Sequence, residues 1–167
     1  MPTQDHFPLF PDSVPASTER PSSTYSRVPG WFAVHGAPPP SLTLPVAFTL
    51  NEGAISVCRG EPPDPRALPP SLLITPVYSL RPGGRPAVPT GRVFIRFAEH
   101  IRADSRREAL AQAGYRIVDL PAYAPQAAWV ESAEDGVAAS LAGLARLQTL
   151  AEIVNVEPEM LTPRIPR

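Results

Sequence analysis

The sequence predicts an α+β protein. Its main part is a four-stranded antiparallel sheet with two helices on one face. A small Pro-rich β subdomain and a disordered N-terminus precede it. Three observations predict this. Residues 92–158 switch between period two and helical spacing in the order strand, helix, strand, strand, helix, strand. Helix-capping and helix-ending residues stand at both switches into and out of the first helix. Nineteen of the 24 prolines lie before residue 91, so different backbone rules govern the two halves.

In chain order, residues 1–27 carry Pro8, Pro11, Pro15, Pro21 and the run Ser22-Ser23-Thr24. Such a composition reads as flexible and extended. Residues 28–88 hold short apolar runs bounded by proline. The runs Pro45–Leu50 and Gly53–Cys58 flank Asn51-Glu52, a hairpin signal. Leu72–Leu80 is a further strand, and Pro76 within it demotes it to an edge or a bulge. Pro82–Pro89, with Gly83-Gly84, reads as a linker.

Residues 89–160 carry the complete pattern. Val93, Ile95 and Phe97 alternate with Arg92, Phe94 and Arg96, as in a half-buried strand. Ser105-Arg106-Arg107-Glu108 has the form of a capping box. Ala109, Leu110, Ala111 and Ala113 favour helix, and Gly114 supplies a left-handed terminator. Tyr115–Val118 and Ala127–Val130 are the second and third strands, separated by Pro121 and Pro125. Ser132–Asp135 offers a second cap before Val137, Leu141 and Leu144, one apolar stripe of a helix running to Gln148. Ile153, Val154 and Val156 make the last strand. This order is the split βαβ, ferredoxin-like arrangement. About seventy residues form a marginal core, which leaves the second sheet face for a partner. Phe94 and Trp129 are placed either for contacts there or for filling the core. Residues 161–167 follow as an extended C-terminal tail.

The chain carries little sign of chemistry. The formal charge is −1, so no electrostatic pull toward nucleic acid or membrane is expected. All fifteen basic residues are Arg. No apolar run of about eighteen residues exists to span a bilayer. No secretory signal is visible, and the expected location is cytoplasmic if the chain is full length. Cys58 is alone, which excludes an internal disulfide. His6, His35 and His100 do not cluster at metal-ligand spacing. Val34-His35-Gly36-Ala37 is not continued into a catalytic histidine motif, and no nucleophile elbow occurs. No enzyme activity, cofactor or metal is expected.

Residues 89–164 resemble the N-terminal propeptides and propeptide-like inhibitors of subtilisin-type serine proteases. The resemblance rests on Thr90–Phe97, on Ala113-Gly114-Tyr115, and on Leu147 through Glu159, which ends in Val154-Asn155-Val156-Glu157-Pro158-Glu159. It implies an inhibitor or folding chaperone of a subtilisin-like protease, either a separate chain or the remainder of one precursor. It implies that the open sheet face presses on two protease helices, with Glu157 and Glu159 meeting their N-termini, where unpaired N–H groups favour a carboxylate. It further implies that Met160, Leu161, Thr162, Pro163 and Arg164 enter the cleft as an added strand. The alternative is a ferredoxin-like protein-interaction module without a protease target. Most relatives of this type are secreted, so the missing signal departs from the pattern.

Overall fold

The structure, a computed structural model, describes residues 4–134 and 136–164. Among them are nine strands: β1 Ser13–Pro15, β2 Thr24–His35, β3 Val46–Leu50, β4 Ile55–Arg59, β5 Leu73–Ser79, β6 Val88–Phe97, β7 Tyr115–Asp119, β8 Ala127–Ser132 and β9 Ile153–Leu161. Three short helices are α1 Arg107–Gln112, α2 Val137–Ala142 and α3 Leu144–Gln148. The chain is thus a mixed α+β protein. The strands form two sheets, one ordered β1-β2-β4-β3 with β5 also on β2, the other β7-β8-β6-β9. The chain divides into two units. Of the described residues, the first holds 4–8, 26–88 and 160–164, and the second holds 9–25, 89–134 and 136–159.

The first unit is built on the hairpin of β3 and β4. Asn51, Glu52 and Gly53 all take positive φ, at 52°, 56° and 88°. Asn and Gly tolerate that region, and Leu50 therefore lies opposite Ile55. Pro76 falls opposite Phe32 in β5, which pairs with β2 at the sheet's edge. Beside this pair β2 shifts register between Arg27 and Phe32. One core gathers Ala33, Leu50, Ile55, Val57, Val77 and Val88. A second gathers Phe32, Val34 and Cys58. The stretch expected as a linker is a tight turn. Gly84 N–H donates to the Arg81 carbonyl, and Tyr78 and Ala87 pair their backbones in both directions. Val88 is fully buried as a result.

In the second unit β6 keeps the alternation read from sequence, with Val93, Ile95 and Phe97 buried. Leu110, Tyr115, Val130, Val137, Leu141, Leu144, Leu147 and Val156 are also buried in this unit. Its helices enter differently from expectation. The chain reaches α1 through a 3-10 turn over Ala103–Arg106, so Ser105 sits inside a turn and not at a cap. Its hydroxyl donates back to the Arg102 carbonyl at 2.6 Å, and no capping box forms. Ser132 ends β8 and accepts the Glu134 N–H, while Gly136 precedes α2. Asp135 lies outside the described residues. The second helix is broken at Gly143 into α2 and α3. The Tyr115 hydroxyl donates to the Ser140 carbonyl, which an unbroken helix would give to Leu144 N–H.

Residues 9–25, expected to be disordered, belong to the second unit's ordered structure. Val14 is fully buried and Ser17 is nearly so. The reason is the free edge of β9. Thr18 N–H donates to the Val156 carbonyl at 3.2 Å, and Val156 N–H donates to Thr18 Oγ1 at 3.0 Å. An edge strand's unpaired backbone groups are thereby satisfied by the segment that local composition marks as coil.

Candidate functional site

β9 and its continuation hold every residue that the resemblance singles out. Val156 and Pro158 are buried and set the strand in place, and Glu157 between them is exposed. The Tyr25 hydroxyl lies near enough to feel Glu157. Burial first, then this carboxylate, hold its pKa above the usual tyrosine value. Glu159 is half-buried, and its Oε1 accepts the Thr90 hydroxyl at 2.8 Å. The same hydroxyl accepts the Arg92 N–H at 3.1 Å. Glu159 is therefore committed within its own sheet, whereas Glu157 faces solvent.

Met160 and Leu161 complete β9 and are half-buried. Leu161 packs against the first unit's core of Ala33, Leu50, Ile55, Val57, Val77 and Val88. Thr162 is exposed, Pro163 is half-buried and Arg164 is exposed. The Pro163 carbonyl accepts a hydrogen bond from Arg85 Nη2. The described part of the tail is thus laid down on this chain, not projected from it. Ile165, Pro166 and Arg167, the rest of the expected tail, lie outside the described residues.

The aromatics left open by sequence are placed on one sheet face. Phe94 and Trp129 are paired across β6 and β8, with ring centroids 5.2 Å apart in an edge-on arrangement. The Arg92 guanidinium lies over the Trp129 ring at 4.7 Å, a cation–π contact. Both rings are half-buried, so neither fills the core. Farther along this face Arg96 forms an ion pair with Glu19. The β9 edge beside it carries Asn155, whose Oδ1 accepts Ser17 Oγ at 2.8 Å and Thr18 Oγ1 at 3.2 Å. The surface expected to be open is consequently held by residues 17–19 at Arg96 and Asn155.

Sequence reading missed Asn155, Thr18 and Arg85 as determinants of this region. One signal was present: an Asn inside a strand of Ile and Val is a poor strand former and calls for a hydrogen-bond partner. No signal pointed to Arg85, because its acceptor is a backbone carbonyl.

Cys58 and His35 both belong to the first unit. Cys58 is buried, its Sγ lies 3.8 Å from the Ser56 carbonyl, and burial pushes its pKa up. A thiol so placed is a poor nucleophile. His35 Nε2 lies 3.0 Å from Thr75 Oγ1, and burial lowers its pKa to about 4. Among the described residues no three His, Cys, Asp or Glu side chains are grouped to hold a metal ion. No helix among them is long and apolar enough to cross a membrane. No protein-family model, no curated protein and no solved structure matches the chain.

Proposed function

We propose that this chain is a propeptide-type inhibitor, and a folding chaperone, of a subtilisin-like serine protease. The protease is either a separate chain or the remainder of one precursor. The observation that carries the reading is the continuity of β9. An exposed carboxylate at Glu157 is followed, without a break in the extended backbone, by Met160 and Leu161. A carboxylate on a rigid strand suits a helix N-terminus, and an extended segment suits a protease cleft. The ferredoxin-like part of the reading is supported by the order β7-β8-β6-β9, with helical segments between β6 and β7 and between β8 and β9. Chaperoning follows from mass action, because a ligand that binds only folded protease stabilises it.

The test is inhibition of subtilisin by the full chain, by Glu157→Gln, and by a chain ending at Glu159. The Gln substitution should weaken inhibition by about 2- to 30-fold, the equivalent of ~0.3–2 kcal/mol at a helix terminus. The truncated chain should bind without blocking. Equal inhibition by all three forms, or by none, overturns the proposal.

A second reading is an interaction module without a protease target. It is favoured by the self-engagement of Glu159 with Thr90 and of Leu161 with the first unit's core. A protein that captures no protease while Glu157 still governs binding to another folded partner would decide for it.

A further inference from the structure

We infer that residues 26–88 are the holder of the segment Met160–Arg164, keeping it latent until a protease takes it. The inference rests on the proposed protease-inhibitor reading and gives the β-rich first unit a task within it. Two independent contacts carry it. Leu161 packs its side chain against a core made wholly by β2, β3, β4, β5 and Val88. Two residues later, Arg85 Nη2 donates to the Pro163 carbonyl. That carbonyl is a backbone acceptor of the kind a protease cleft would pair with in an added-strand pose. The segment is already extended through Leu161, so transfer of Met160 and Leu161 needs no change of backbone form, only a change of partner.

The chemistry sets a competition. While the segment lies on the first unit, its apolar side chain and its carbonyl are both occupied. Affinity for the protease is then reduced by the fraction of molecules in which the segment is released. Arg85 is the point at which this fraction can be altered alone. It is exposed, it sits in the turn after β5, and it lies outside β9 and outside the residues proposed to touch the protease.

The experiment uses the full chain, Arg85→Ala and Arg85→Glu. Amide exchange of Leu161, Thr162 and Arg164 reports release with no protease present. Inhibition of subtilisin reports transfer. Both variants should speed exchange at these amides and tighten inhibition by a matching factor, on the order of three- to tenfold, with Arg85→Glu the larger. Unchanged exchange overturns the inference, since the segment is then not held by Arg85. Faster exchange with unaltered inhibition also overturns it, because holding then has no bearing on the protease. Faster exchange with no inhibition by any form removes the protease-inhibitor reading itself, and latency with it.

Discussion

At the residue scale, one half-buried base should make the first unit acid-sensitive. His35 sits in β2 between Ile55 of β4 and Leu73 of β5, with its Nε2 3.0 Å from Thr75 Oγ1. Burial lowers its pKa from 6.5 to about 4. The unfolded chain therefore binds a proton between these values while the folded chain does not. Stability is full above the unfolded pKa of 6.5 and is lost as pH falls toward 4. The loss should be at most about 3 kcal/mol. Urea unfolding of the full chain at a series of pH values measures it, and His35→Gln should flatten the slope in this window. A slope unaffected by that substitution would assign it to carboxylates instead. None of this was legible beforehand. The sequence places His35 in an apolar run, but its neighbour Thr75 is forty residues away. By contrast the burial of Val93, Ile95 and Phe97 was legible, because the period-two pattern that encodes it is local to one strand.

At the element scale, strands were read more faithfully than helix ends. The hairpin at Asn51-Glu52 and the edge placement of Leu73–Ser79 follow from turn chemistry and from one proline, both local facts. The caps at Ser105 and Ser132 do not form, because tertiary packing chose other entry points into the helices. The break at Gly143 shows the same override. Its φ is −93°, so no left-handed backbone requires glycine there. Space requires it. A Cβ would stand 2.6 Å from the Tyr115 hydroxyl and 2.6 Å from Arg146 Nη2. Arg146 can swing aside, though its Nε holds the Ala113 carbonyl at 3.0 Å. Tyr115 is buried and tied to Ser140, with burial pushing its pKa up to about 12. Helix propensity alone makes Gly143→Ala stabilising by about 1 kcal/mol. Overpacking against Tyr115 should reverse the sign and leave the variant about 1–2 kcal/mol less stable. Denaturant midpoints of the two proteins decide it. A stabilised variant would mean that Tyr115 yields at little cost and that the helix break is only a matter of propensity.

At the scale of the whole molecule, the boundary that composition suggests is not the boundary that packing makes. Residues 89–160 read as one domain with a marginal core, and its unit includes residues 9–25 as well. Those residues bring Val14, which is fully buried, and four hydrogen bonds to Asn155 and Val156. Burying one Val contributes about 1.5–3 kcal/mol and each net hydrogen bond about 0.5–1.5 kcal/mol. Several kcal/mol is a large part of the stability of any small domain, which totals about 5–15 kcal/mol. The segment is therefore a structural member of the unit that it precedes by some sixty residues of chain. Composition could not show this, because proline and serine content describes local chain stiffness and says nothing of a distant strand edge. The consequence is specific to β9. Asn155→Ala in the full chain removes the acceptor for Ser17 and Thr18 and should cost about 1–3 kcal/mol. A chain lacking residues 9–25 should lose more, and its Val156 amide should exchange as an exposed one. Adding residues 9–25 as a separate peptide should restore protection at Val156 in the truncated chain, and should restore less in one that also carries Asn155→Ala. If the truncated chain melts at the same temperature and protects Val156 as well as the full chain does, the segment is dispensable and the C-terminal pattern stands alone after all.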